Sequence, residues 1–245
     1  MSYRTDRDLE VLSIAENEDL EILIHYLTRD KDGITRFTEE LTPKLLYKSN
    51  PEYPRMYWPE IAEELQRYGG NTFANMFRGG EGVLYREILC DVCDKMKVNY
   101  NSSASTELIE ANLFQKILTD AVYKMDDDMM KDTIDALELK TTNFTKQGVA
   151  FALQMAIRAA GFTPYKFAVI VANQVAREVA KRGLAFGMNA GLNRLIGAFA
   201  GPVGLVFTAL WTAVDIAGPA YRVTIPSVIQ VAYIRAKEHM NDNIA

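Results

Sequence analysis

The chain has 245 residues, 49% of them hydrophobic, enough to bury a core as one large helical domain or two smaller ones, and this excludes disorder over most of its length. A formal net charge of −5 and a pI near 5.2 exclude a broad nucleic-acid-binding face, which needs a basic stripe. The start, MSYRTDRDLE, mixes both charge signs where an export signal would have a basic end followed by an apolar stretch, so the expected location is the cytoplasm. The two cysteines, Cys90 and Cys93, are too few for a disulfide framework and agree with a reducing compartment.

In chain order, ENEDLEILIHYLT places Leu20, Leu23, Ile24 and Leu27 at i, i+3, i+4 and i+7, which predicts a helix with Asn17 as its cap and Glu18 and Asp19 favouring its positive end. In YWPEIAEELQRYGG, Pro59 takes a first-turn position, Ile61, Leu65 and Tyr68 share a face, and Gly69 and Gly70 are expected to stop the helix, with the next starting at Asn71. Beyond GGEG, Leu84, Ile88, Val92 and Met96 line one face of a helix over 83–97. Ser105 opens a helix to about Met125. Asp126 then caps one through Leu139, with Met125 and Met130 placed for a hydrophobic staple.

Near residues 140–145 the charges thin and alanine and glycine become frequent, which sets an expected boundary between regions 1–142 and 143–245. Thr163 and Pro164 begin a helix in which Ala168, Ala172, Ala176 and Ala180 recur every fourth residue, a spacing continued by Gly183, Gly187 and Gly191. Small residues so spaced let helix backbones approach closely. The run LIGAFAGPVGLVFTALWTAV, 195–214, holds no charge. As one helix of ~1.5 Å per residue it would reach about the thickness of a bilayer's hydrocarbon. Gly201, Pro202 and Gly204 interrupt it, and an interior proline costs ~3 kcal/mol, so the expectation is two short helices forming an apolar hairpin over 184–218. Arg194 and Asp215 flank the run, and Trp211 is either an interfacial anchor or core. Thr224 and Pro226 begin a last, amphipathic helix ending near His239. The expected fold is therefore an all-α multi-helix bundle with a glycine- and alanine-rich apolar C-terminal helical hairpin.

Signals for chemistry are weak. CDVC has the spacing of a metal or redox pair, but it lies inside a helix and has no second CxxC, so it reads as packing. Asp30, Asp32, Gly33 and Glu39 fall at places 3, 5, 6 and 12 of a calcium loop, while place 1 is Thr28 where a carboxylate is needed. The Asp126–Asp127–Asp128 run suits a helix N-terminus. RGGEG lacks the trailing Gly-Lys-Ser/Thr of a phosphate loop. With only His25 and His239 and no nucleophile environment, neither a Ser-His-Asp nor a Cys-His mechanism has support. No catalytic residue, metal or cofactor is assigned.

Three stretches, YRTDRDLEVLSIAENEDLEILIHYLTRDKDGITR, ELQRYGGNTFANMFRGGEGVLYREILCDVCDKMKV and AGPAYRVTIPSVIQVAYIR, resemble the bacterial YaaW-like family, whose middle portion is grouped with the ubiquinol-cytochrome c chaperone domain. The resemblance implies a helical, non-enzymatic protein that binds and guards a client, and it carries over no catalytic residues. Within its motif, Gly69, Gly70, Asn71, Thr72, Arg78, Gly79, Gly80, Tyr85 and Arg86 are candidates for a contact surface, the competing reading being a tight glycine-shaped helix junction.

The expected function is thus a chaperone-like interaction protein, cytoplasmic or peripheral at the inner membrane, with a protein partner or lipid and no nucleic acid. The alternative is a membrane-inserting effector, similar in architecture to pore-forming colicins, in which Gly201, Pro202, Gly204, Trp211 and Asp215 belong to the entering hairpin.

Overall fold

The structure is a computed structural model and describes residues 3–73, 82–137, 139–159, 163–181, 183–184, 190–217 and 220–242. Their regular elements are helices, as expected: α1 (Asn17–Thr28), α2 (Leu45–Ser49), α3 (Trp58–Phe73), α4 (Tyr85–Lys95), α5 (Thr106–Lys124), α6 (Asp127–Leu137), α7 (Lys146–Ala159), α8 (Thr163–Val179), α9 (Ala190–Ala217) and α10 (Tyr221–Asp242), with short 3-10 turns at Arg7–Ser13 and Pro54–Tyr57. The β-pairing among the described residues is one antiparallel bridge, Arg29 with Thr35. Buried side chains from Leu9 to Ile234 form one cluster.

Where capping chemistry is local, sequence and structure agree. Ser105 accepts a hydrogen bond from the Leu108 amide at 3.3 Å and Asp126 from the Met129 amide at 2.9 Å, each satisfying an orphan donor of a first turn. Met125 and Met130 are both buried beside the second cap. At α1 the reading needs correcting: Glu16 occupies the cap position, and Asn17 instead accepts the Arg55 amide at 3.2 Å, tying α1 to the turn before α3. Helix α7, which the sequence reading does not include, is capped by Thr145, whose hydroxyl accepts the Gly148 amide at 3.2 Å.

Gly69 and Gly70 do not end α3, which continues to Phe73. A methyl group on Gly69 would sit 2.5 Å from Ile88 Cγ1. The glycine is there because α4 passes too close for any side chain.

The apolar C-terminal hairpin is also corrected. Residues 190–217 form a single helix with Pro202 inside it. Pro202 withholds an amide from the carbonyl four residues earlier, a loss of ~3 kcal/mol. Phe199, Val203 and Phe207, one turn apart and all 0% exposed, offset it, since burying each such side chain contributes ~1.5–3 kcal/mol. This stripe packs along α5, α6 and α8. The opposite side, with Gly197, Gly201 and Leu205, is exposed, so α9 is a one-sided helix. Among the described residues no helix is long and apolar enough to cross a membrane.

The centre is α10. Every residue from Val223 to Arg235 is buried, against α8, α1, α4, α3 and α5, so the helix expected to be amphipathic is enclosed on all sides over this stretch, the polar Thr224, Ser227 and Gln230 included. Pro226 lies inside this helix. Its neighbour α8 presents Ala168, Ala172 and Ala176, all 0% exposed, with Ala180 next in the row. Small side chains there let the two helices approach closely, and Tyr165 of α8 stacks on Tyr233 of α10 at 6.4 Å between ring centroids.

Candidate interaction site

Helix α7 is apolar on two sides. Val149, Ala150 and Leu153 face inward and are buried, while Phe151 and Met155, 65% and 49% exposed, stand one turn apart on the outside. Four-residue spacing makes them neighbours on one surface. Exposed Phe144 just precedes the helix, and Lys146 donates from Nζ to the Tyr123 carbonyl at 3.0 Å, which brings exposed Tyr123, at the end of α5, to the same corner. A fold with ordinary choices of surface residue would place polar side chains here. An aromatic ring beside a flexible thioether suits contact with variable apolar sequences. Binary patterning hides such a site, because two apolar faces on one helix read simply as hydrophobic content.

The described residues of the glycine-rich motif lie in α3 and at the start of α4. Gly69 and Gly70 are buried in α3. Asn71 and Thr72 continue that helix, their side chains lying outside the described residues, as do Arg78, Gly79 and Gly80 entirely. Tyr85 is 0% exposed and its hydroxyl donates to Glu110 Oε1 at 2.7 Å. Arg86 spans to the start of α5, donating to the Thr106 hydroxyl at 3.2 Å, the Ser102 carbonyl at 2.7 Å and the Ala104 carbonyl. These two residues are ties between α4 and α5.

Of the proposed hairpin residues, Gly201, Pro202, Gly204 and Trp211 lie along α9. The half-buried Trp211 packs on Phe207, with ring centroids 5.9 Å apart, and lies under the Arg222 guanidinium at 5.7 Å. Asp215 is in the same helix, its side chain outside the described residues. Arg194 makes an exposed contact with Asp135 at 4.0 Å.

Two buried ion pairs on α10 escaped sequence reading. Arg235 Nε lies 3.1 Å from Glu110 Oε2, and Arg235 also donates to the Asp8 carbonyl. Burial pushes the Glu110 carboxyl up to about 7, outweighing the attraction of Arg235 and the Tyr85 hydrogen bond. Lys237 Nζ lies 2.7 Å from both Asp19 Oδ2 and Glu16 Oε2, and burial raises Asp19 to about 6 against the pull of Lys237. Gln230 donates to the Asp19 carbonyl at 3.0 Å. These groups pin α10 to α1 and α5 and orient the bundle. They bridge more than 100 residues of sequence, so no local pattern announces them.

The remaining motifs are structural. Cys93 is buried in α4, and burial pushes its thiol up to about 12, far from a reactive thiolate. In the partial calcium loop, Asp30 Oδ1 accepts the Asp32 and Ile34 amides, each at 2.9 Å, Gly33 supplies a positive φ of 78°, and Glu39 turns away to accept from the Thr42 amide at 2.9 Å. A cation would have to compete with each of these bonds. No group of three or more metal-ligating side chains occurs among the described residues.

A family model described as ubiquinol-cytochrome C chaperone matches residues 55–229, and a domain of unknown function, DUF3944, matches residues 3–37. A UPF0174 protein of Helicobacter pylori strain J99 is 48% identical over 97% of this chain and 94% of its own length. A second from that strain is 41% identical over 81% of this chain and 97% of its own. The UPF0174 protein YaaW of Escherichia coli K12 is 32% identical over 96% of each. No solved structure matches significantly.

Proposed function

Because the chain belongs to the UPF0174, YaaW-like family and its residues 55–229 match the ubiquinol-cytochrome C chaperone model, we propose that it is a non-enzymatic, chaperone-like protein that holds an apolar segment of a protein client on the outer face of α7. The observation that carries this reading is the pair Phe151 and Met155, exposed one turn apart on a helix that lies within the chaperone-matched region. Binding gains ~25 cal/mol for each Å² of apolar surface the client covers. The description of the family model supports a protein partner. The exposed apolar face of α7 supports the choice of place.

The test is the light scattering of a chemically unfolded model client diluted into buffer with the purified chain. The wild type delays aggregation at near-equimolar ratio, and the double variant Phe151→Ser, Met155→Ser loses most of that delay while its thermal midpoint stays within a few degrees. Equal protection by both proteins would remove α7 from the mechanism. No protection by the wild type would remove the chaperone reading.

A further inference from the structure

The exposed line on α7 begins before the helix does. Phe144, 60% exposed, stands just ahead of it, with Phe151 and Met155 further along, a length of ~16 Å at ~1.5 Å per residue. A tight turn holds the backbone of Phe144 in place: the Thr141 hydroxyl donates to the Asn143 carbonyl at 3.2 Å, and Asn143 Oδ1 accepts the Thr145 amide at 3.0 Å and the Thr145 hydroxyl at 2.6 Å. A residue fixed in this way has less freedom to lose when its ring is covered. Gly148, half-buried, falls between Phe144 and Phe151 and has no side chain, so the line of anchors carries a notch where another helix can come close. The turn itself requires that glycine, since a methyl group there would stand 2.5 Å from the Asn143 carbonyl oxygen.

Area and hydrogen bonding together decide what fits this line. Tyr123, Phe144, Phe151 and Met155 are 45%, 60%, 65% and 49% exposed, and at ~200 Å² for a large side chain they offer about 400–500 Å². A lasting contact between two folded chains covers about 800 Å² on each partner, so a second copy docked on this face alone falls short. A single segment of about three helical turns matches it. Among the described residues the β-pairing is the bridge of Arg29 with Thr35, so they supply no strand edge beside α7. An extended client laid on these side chains would turn amides and carbonyls from water toward carbon, with no protein partner to compensate. A helix satisfies its own backbone and lays only side chains on the face.

We propose that the α7 face takes its client as an amphipathic helix, with apolar side chains at i, i+4, i+7 and i+11 laid along Phe144, Phe151 and Met155 and one of them entering the notch at Gly148. This rests on the reading of α7 as the client face, and adds to it the conformation of the client and a third anchor.

Two fluorescein-labelled peptides of about 16 residues and identical composition test it, one with leucines at the helical period and the other with leucines at alternate positions. Fluorescence anisotropy with the full chain is expected to show the helical-period peptide binding at least tenfold more tightly, and difference circular dichroism a gain of helix on mixing. Phe144→Ser weakens that binding several-fold, and Phe151→Ser with Met155→Ser abolishes it, in variants whose thermal midpoints stay within a few degrees of the wild type. Equal binding of the two peptides, tighter binding of the alternating one, or binding without a gain of helix overturns the helical client, while continued dependence on Phe151 and Met155 keeps α7 as the face. Full affinity in Phe144→Ser removes the third anchor. Binding of neither peptide also overturns the helical client, and the aggregation assay then decides the chaperone reading by itself.

Discussion

Arg235 and Glu110 join α10 to α5 through a buried ion pair, with Nε 3.1 Å from one carboxylate oxygen and 3.3 Å from the other, and side chains 8% and 4% exposed. A pair this dry is costly to break singly, because the survivor keeps its charge without a partner. Glu110→Ala should lower the unfolding free energy by about 3–5 kcal/mol, read from urea denaturation. Replacing both, Glu110→Leu with Arg235→Met, should recover most of that loss. If the double variant is no more stable than the single one, the penalty does not come from the stranded guanidinium.

The same pair gives stability a defined pH slope. Glu110 titrates near 7 in the folded chain against 4.5 for a free carboxyl, and Asp19 near 6 against 3.8. Both folded values are raised by burial, so between these limits the native state holds more protons than the unfolded one, and stability falls as pH rises. The contribution is complete below the unfolded values and gone above the folded ones. Thermal melts from pH 4.5 to 8 should show a shallower decline for Glu110→Gln than for the wild type, whatever its absolute midpoint. A steeper decline would reverse the assigned sign.

Two glycines should respond oppositely to alanine. Gly69→Ala drives a methyl group to within 2.6 Å of both Cγ1 and Cδ1 of Ile88, whose side chain is 2% exposed and hemmed in by the core. Overpacking of this kind costs roughly 1–3 kcal/mol, and Ile88→Ala in the same chain should relieve part of it. Gly197, in α9, has open space where its Cβ would stand, so Gly197→Ala should stabilise by roughly 0.5–1 kcal/mol through backbone entropy. Paired denaturation curves decide both.

Thiol labelling tests the packing role of CDVC. Half-buried Cys90 should react with an aromatic disulfide reagent in the folded protein at pH 8, whereas Cys93, fully buried with its thiol raised to about 12, should react only on unfolding. Rapid labelling of both thiols in the native state would show that α4 opens.

Sequence by itself determined the helical class and much of the local detail, because caps and 3.6-residue periodicity act within a few residues of chain: Ser105 and Asp126 hold the first turns they were expected to hold, and Ile61, Leu65, Ile88 and Val92 are buried as their spacing predicts. It could not rank the helices by depth. The longest uncharged apolar run is 195–214, yet the interior is α10, whose Gln230, Arg235 and Lys237 find partners in Asp19, Glu110 and Glu16. A polar side chain is tolerated inside when a distant segment satisfies it, and that is a tertiary condition. Gly69 and Pro202 make the same point in backbone terms. Each was read as a helix break from its own preferences, and each lies within a helix, one because α4 needs the space, the other because Phe199, Val203 and Phe207 bury more than the lost hydrogen bond costs.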